Sequence, residues 1–277
     1  MKGLAAWVLL AGLGAIPVLG DTYWIAWEGE GETAGLPEQF AWSRNWGNWD
    51  GQYQGGAYRT LEDGILTYDS LYDPGVCDFS YMYPGQVDPG PGEMLVMAWR
   101  LKVDTVTGWY RDPGVDLTSD SGWAVGFVFG VDHVESAFED DVIIPTAPGV
   151  FHDYELRSSD VMSYELHIDG ELARIGSFWE AFPPSYVAWG DFIQGAASRH
   201  RWDYFRLAVF VAPQTGDVNC DGTVDFGDIN PFVQVLTDGE GYQQTYSGCW
   251  PENADINGDG AVDFGDINPF VELLTAQ

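Results

Sequence analysis

The sequence predicts a mainly β protein, an antiparallel β-sandwich followed by a small α-helical unit built on two acidic loops. Three observations predict it. From Asp21 to about Ala212, apolar and polar residues alternate at period two between breaks rich in Gly, Pro and Asp. No stretch of that region sustains a helical period. After Pro213 the pattern changes, and the string VDFGDINPFV occurs twice, at 224–233 and 262–271.

The chain opens on MKGLAAWVLLAGLGAIPVLG, with Lys2, an apolar run, and Gly20 just before Asp21. That is a secretory signal pattern with cleavage expected near Gly20, an uncleaved anchor being the competing reading. No later run reaches a spanning length, so the expected product is secreted and extracellular, off the membrane after cleavage. The expected division is 1–20 signal peptide, 21–212 sandwich and 213–277 helical unit. Asp and Glu number 43 against 11 Lys and Arg, a formal net charge of −32. Such a field repels phosphate backbones and anionic lipid, so nucleic-acid and membrane-surface functions are disfavoured. Aromatic residues make up 15% of the chain, with 13 Trp, a composition that suits sandwiches and carbohydrate-facing proteins.

Within the first region, GEMLVMAWRLKVD places Leu95, Met97, Trp99, Leu101 and Val103 on one face and Arg100 and Lys102 on the other. SGWAVGFVFGVD does the same with Trp123, Val125, Phe127, Phe129 and Val131. In YELHIDGELARIGSF, Asp169-Gly170 separates two alternating runs and predicts a hairpin, because both turn positions favour φ > 0. RWDYFRLAVFV, residues 201–211, is a further strand. Many strands without helices imply two packed antiparallel sheets.

The second region carries the metal-ligand pattern. DVNCDGTVDFGD (217–228) and DINGDGAVDFGD (255–266) are twelve-residue loops with oxygen side chains at positions 1, 3, 5, 9 and 12 and Gly at position 6. This is calcium-loop spacing. It predicts two calcium ions, the first held by Asp217, Asn219, Asp221, the Thr223 carbonyl, Asp225 (directly or through water) and Asp228. The second is assigned to Asp255, Asn257, Asp259, the Ala261 carbonyl, Asp263 and Asp266. Repulsion among the carboxylates predicts folding coupled to the ion. Behind the first loop, Ile229, Phe232, Val233 and Leu236 fall on one helix face, with Pro231 early enough to be tolerated. Of three cysteines, Cys220 and Cys249 share this region and form the natural disulfide pair in an oxidising compartment. Cys77 is left over as a buried, small apolar side chain.

Two resemblances follow from these residues. HDYELRSSDVMSYELHIDGELARIGSF (152–178), with the closing WDYFRLAVF (202–210), resembles the back half of a laminin-G-like, concanavalin A-like jelly-roll sandwich. The segment from Gly216 to Leu274, two loops each followed by one helix, resembles a type I dockerin. That resemblance implies attachment of secreted, often polysaccharide-degrading, proteins through a cohesin-like or other protein partner. Phe226-Gly227 and Phe264-Gly265 stand where cellulosomal dockerins carry a polar pair, so a cohesin partner carries over less well than the fold.

Catalytic signatures are missing. His133, His152, His167 and His200 are scattered, and there is no G-x-S-x-G, phosphate loop or H-E-x-x-H. The retaining glucanases of this fold carry E-x-D-x-x-E, which ESAFEDDV (135–142) does not match, and TSDSGW (118–123) is a single incomplete sialidase-type Asp-box. In FAWSRNWGNWDGQY, Trp46, Trp49 and Tyr53, with Trp42, offer a stacking platform for sugar, although tryptophans of a sandwich also serve the core. The expected function is therefore a non-catalytic glycan- or surface-binding sandwich, associated with extracellular polysaccharide and carrying an attachment module. The alternative is a secreted glycoside hydrolase or polysaccharide lyase.

Overall fold

The computed structural model describes residues 25–29, 36–39, 42–47, 58–71, 77–85, 87–107, 113–139, 142–182, 184–192, 197–246 and 249–276. The signal segment, and the loop holding Trp49 and Tyr53, lie outside them. In chain order the strands are β1 (Ile25–Glu28), β2 (Ser43–Gly47), β3 (Tyr58–Glu62), β4 (Ile65–Asp69), β5 (Cys77–Met82) and β6 (Glu93–Thr107). There follow β7 (Gly114–Thr118), β8 (Trp123–Phe129), β9 (His133–Ser136), β10 (Ile143–Pro145) and β11 (His152–Ser158). The sandwich ends with β12 (Ser163–Ile168), β13 (Glu171–Ser177), β14 (Trp179–Glu180), β15 (Tyr186–Asp191) and β16 (Ala197–Val211). Helices α1 (Ile229–Thr237), α2 (Gly239–Thr245) and α3 (Ile267–Thr275) make up the C-terminal unit.

Two antiparallel sheets result, as the alternation predicts. The first runs β13-β12-β11-β6-β16-β4-β3, with β1 also paired to β16; the second runs β10-β9-β8-β7-β15-β5-β2, with β14 on β8. Neighbours in space are mostly distant in sequence, so hairpins alone do not define the order. The hairpin at Asp169-Gly170 is as predicted, with φ of 53° and 83° at its two turn residues.

The core lies between the sheets, and β6 faces it with Leu95, Met97, Trp99, Leu101 and Val103, all buried. Opposite them come Val125, Phe127 and Phe129 of β8, with Trp123 packed at the margin. Val131 falls beyond the end of β8 and is exposed. Trp42 is 3% exposed and meets Trp189 and Phe205 edge-on, so of the predicted sugar platform this tryptophan belongs to the core. His200 is likewise inside, stacked on Tyr68 and accepting at Nδ1 from Trp202 Nε1 at 2.7 Å. Burial pushes its pKa down to about 3, so it stays neutral. His133, His152 and His167 each pair with a carboxylate, of Asp132, Asp169 and Glu165 respectively.

The C-terminal unit has its own small core, in which Phe232 of α1 stacks on Phe270 of α3 with centroids 4.3 Å apart. The two copies of the repeated string thus meet through the same residue. The predicted α1 face splits: Phe232 is buried and Leu236 half-buried, whereas Ile229 and Val233 stand exposed. Periodicity finds a helix stripe, but a unit this small covers only part of it. Helix α2, rich in Gly and polar residues, carries no apolar period and is not foreseen; Asp238 caps it by accepting from Gly241 N.

Trp250 fastens this unit to the outer face of the first sheet. It packs with Val96, Ala208 and Phe210, donates from Nε1 to the Val211 carbonyl at 2.9 Å, and lies under the Arg157 guanidinium. Cys220 and Cys249 are bonded as predicted, which ties the first loop to the segment carrying Trp250, and Cys77 is buried and outside the disulfide. Trp250→Ala is expected to cost about 3 kcal/mol of the C-terminal unit's stability, the order expected for a buried Trp. It should also open the 212–216 connection to protease while the sandwich melts as before. Urea titration with limited proteolysis reads both.

Candidate functional site

Period-two alternation sets what the outer face of the second sheet can display. In β7, Val115 and Leu117 point into the core, which turns Asp116 outward. In β15, Val187 and Trp189 point inward, which turns Tyr186 and Ala188 outward. Register then aligns Gly126, Asp116, Ala188 and Tyr81 in one row across β8, β7, β15 and β5.

Around this row lies a cavity of about 660 Å³ lined by Phe79, Tyr81, Tyr83, Phe138, Tyr186 and Phe192, with Asp116 in its floor. Two glycines let the aromatic walls lie close on the sheet. A Cβ at Gly126 would stand 3.0 Å from the Phe138 ring, and one at Gly114 would stand 2.6 Å from that of Phe192. Tyr81, Tyr83 and Tyr186 form a mutually packed trio, with centroids about 6 Å apart in each pair.

Asp116 is the chemically distinctive group. Its Oδ1 is buried without a hydrogen-bond partner. Burial pushes its pKa up to about 6, against a smaller opposing effect of the Leu117 backbone N–H. Burial, then the neighbouring Asp116 and tyrosines, raises the Tyr186 phenol in turn, so that hydroxyl remains a neutral donor. A carboxyl that holds its proton up to about pH 6, in an aromatic cavity, has the chemistry of a general acid. On the described strands of this face the other acid is Glu135 of β9, buried, with Oε1 2.9 Å from His133 Nε2.

Sequence assigned none of the cavity residues a functional role, and it met Glu135 and Phe138 only within ESAFEDDV. Tyr81, Asp116, Phe138, Tyr186 and Phe192 are scattered along the chain and meet only through strand order. The one local signal is an acid in mid-strand between core residues, in GVDLT. Of the predicted sugar-binding residues, Trp49 and Tyr53 lie outside the described residues. Trp46 belongs by its backbone to β2, opposite Asp78, and its side chain is not among those described.

The calcium expectation is corrected. Among the described residues no group of three or more His, Cys, Asp or Glu is gathered so as to hold a metal ion. The predicted ligands are turned instead to donors of their own loops. Asp217 accepts from the N–H groups of Asp221 and Gly222, and Asp228 from those of Asn219 and Asp225. Asp221 accepts from Asn219 Nδ2 and from both N–H and hydroxyl of Thr223, and Asp225 from Gly227 N. The second loop repeats the scheme. Asp255 accepts from Gly258, Asp259 and Gly260; Asn257 from Asp259; Asp259 from Ala261; Asp263 from Gly265; and Asp266 from Ile256, Asn257 and Asp263. Alternating acids with a central Gly build a loop closed by carboxylate-to-backbone bonds, and that spacing alone does not assemble a cation cage.

The same bonds account for part of the repeated string. A Cβ at Gly227 or Gly265 would stand 2.9 Å from the Asp225 or Asp263 carboxylate oxygen. Nothing in the structure explains the identity of Asn230 and Asn268.

No family model matches the chain, and no curated protein matches it. Solved structures do. A carbohydrate esterase, vb_24B_21 from the Shiga toxin-encoding bacteriophage phi24B, matches at a TM-score of 0.50 and 14% identity, over 67% of this chain and 97% of that one. The cellulose-induced protein Cip1 matches at 0.39 and 13%, over 68% and 97%, and the alginate lyase AlyC3 at 0.37 and 8%, over 58% and 81%. At these identities the likeness is one of fold. It corrects the expectation of a non-catalytic module to this extent, that a sandwich of the same fold occurs in a protein described as a carbohydrate esterase, so the fold gives no ground for reading the chain as non-catalytic. The lack of a known motif on such a sandwich therefore does not argue against catalysis.

Ionising Asp116 in this cavity works against folding. Because its folded pKa lies above the ordinary 3.8, stability should fall as pH rises from about 4 to above 6. Asp116→Asn is expected to be more stable than wild type at pH 8, by up to roughly 3 kcal/mol, and equal to it below pH 4. Urea denaturation at the two pH values checks this.

Proposed function

We propose that this chain is a secreted carbohydrate-processing enzyme that works on polysaccharide in the aromatic cavity of the second sheet, with Asp116 as its proton donor. The observation that carries the proposal is the buried, partnerless Oδ1 of Asp116 in the floor of that cavity. Tyrosine and phenylalanine faces suit the apolar faces of sugar rings, and a carboxyl beneath them that keeps its proton up to about pH 6 suits protonation of a glycosidic oxygen. The sandwich shared with a carbohydrate esterase agrees with this reading at the level of fold.

Hydrolysis is favoured over elimination. Removing the proton beside a uronate carboxylate calls for positive charge to offset that carboxylate, and among the described residues lining the cavity there is no Lys or Arg. Hydrolysis calls instead for a second carboxylate that activates water or attacks the anomeric carbon. By register the nearest acid on the described strands of this face is Glu135, which opposes Val128, which opposes Gly114, two residues from Asp116; it is buried against His133 and does not line the cavity. Two strand spacings and two residues along the chain separate the backbones by about 12 Å.

The C-terminal unit is read as the attachment module that its dockerin resemblance implies. Supporting this, it exposes the same apolar residues twice, Phe226, Ile229 and Val233 and then Phe264, Ile267 and Val271. This surface suits a protein partner, cohesin-like or otherwise.

Incubating the secreted chain with a panel of polysaccharides and measuring released reducing ends tests the function. Release is expected on at least one neutral polysaccharide, falling as pH rises through about 6 as Asp116 loses its proton. Asp116→Asn should lower the rate by roughly 10²–10⁴-fold without loss of fold. Undiminished release by Asp116→Asn would overturn the assignment.

A further inference from the structure

One exposed aromatic residue lies outside the cavity yet in line with it. Trp179 is 58% exposed and sits in β14 opposite Ala124 of β8. Ala124 opposes Thr118 of β7, and Thr118 opposes Tyr186 of β15. Since Val187 opposes Met82, the next pair in that ladder is Tyr186 with Tyr83, itself 64% exposed. Residues directly opposite one another share a sheet face. Trp179, Ala124, Thr118, Tyr186 and Tyr83 therefore form one row, with aromatic rings at its two ends and small side chains between. The row runs beside the one containing Asp116.

Spacing and position give the row its meaning. Strand β7, which holds Asp116, is two strands from β14 on one side and two from β5 on the other. At ordinary strand spacing, and two residues along the strand, Trp179 and Tyr83 thus stand about 12 Å from Asp116 on its two sides, and about 19 Å apart. A disaccharide bound over Asp116 does not reach both. A longer chain lying across the strands does, and it then presents an interior linkage to the Asp116 carboxyl. Charge limits the occupant further. Among the described residues of this row and of the cavity there is no Lys or Arg, while the chain as a whole is strongly acidic. A polyanionic glycan is repelled, and a neutral one is not.

We infer that the outer face of the second sheet is an extended cleft for a linear neutral polysaccharide, with Trp179 as a distal stacking subsite, and that cleavage is endo-type. This inference rests on the carbohydrate reading above and adds to it the substrate class and the mode of attack.

The test measures binding and product pattern separately. In the Asp116→Asn background, which slows turnover by roughly 10²–10⁴-fold, affinities are measured by calorimetry for gluco-, xylo- and manno-oligosaccharides of two to six units, and for an alginate hexasaccharide. One neutral series is expected to bind with affinity rising up to the length that reaches Trp179, and alginate is expected not to bind. Adding Trp179→Ala should weaken the longest ligand about tenfold, closing most of its advantage over the short ones, whereas Leu172→Ala, at an exposed position of β13 in the first sheet, should change nothing. With Asp116 intact, early products from the polymer should be a spread of mid-length oligosaccharides.

Three outcomes would overturn the inference while leaving the carbohydrate reading standing. They are affinity that does not depend on length, a long-chain affinity untouched by Trp179→Ala, and release of a single short product from one chain end. Absence of binding by every glycan would instead overturn the reading on which it rests. Circular dichroism of Trp179→Ala separates loss of the subsite from loss of the fold.

Discussion

The inward placement of Trp189 governs both the core and the site. Its ring stacks on Phe205 at 5.7 Å and touches Trp27, Trp42, Tyr68 and Trp202, so one side chain joins both sheets. A strand has two faces, and burying Trp189 obliges Tyr186 and Ala188 to point the other way. A slip of one residue in β15 would expose the indole and bury the tyrosine. Core packing therefore holds the outer face in register, and the cavity inherits the rigidity of the sandwich interior.

Against that frame the outer face breaks two ordinary rules. It keeps a carboxyl oxygen buried without a partner at Asp116, and it leaves Tyr83 and Trp179 in solvent. Each is unfavourable for stability, the first by the desolvation of a polar group and the second by the hydration of apolar surface. Gathered on one face beside an aromatic cavity, these two departures agree with the proposal that this surface takes a ligand. The opposite face is handled differently. There Trp250 covers Val96, Ala208 and Phe210, so the C-terminal unit closes one side of the sandwich and leaves the cavity side open.

Much of the fold was legible because it depends on neighbours in the chain. The alternation in 93–103 and 123–129, the Asp169-Gly170 hairpin and the pairing of Cys220 with Cys249 all rest on short-range pattern or simple counting. The candidate site was not legible, because Tyr81, Asp116 and Tyr186 lie on three strands joined only by the sheet order. The acidic loops show the opposite failure. Their spacing is clear in the sequence, but whether an alternate carboxylate meets a cation or the N–H groups of its own loop is a matter of side-chain direction, which spacing does not carry.

By itself, then, the sequence determined the class of the protein. Period two dictates strands, the change at Pro213 dictates a second unit, and the repeated string dictates that this unit is built twice over. Tertiary structure alone decided which strands are neighbours, and hence that Asp116 stands among tyrosines with Trp179 in line beyond it. The physical reason is range. Alternation and turn chemistry act over a few residues, whereas a site on a sheet is assembled across strands, by register that only the packed core can fix.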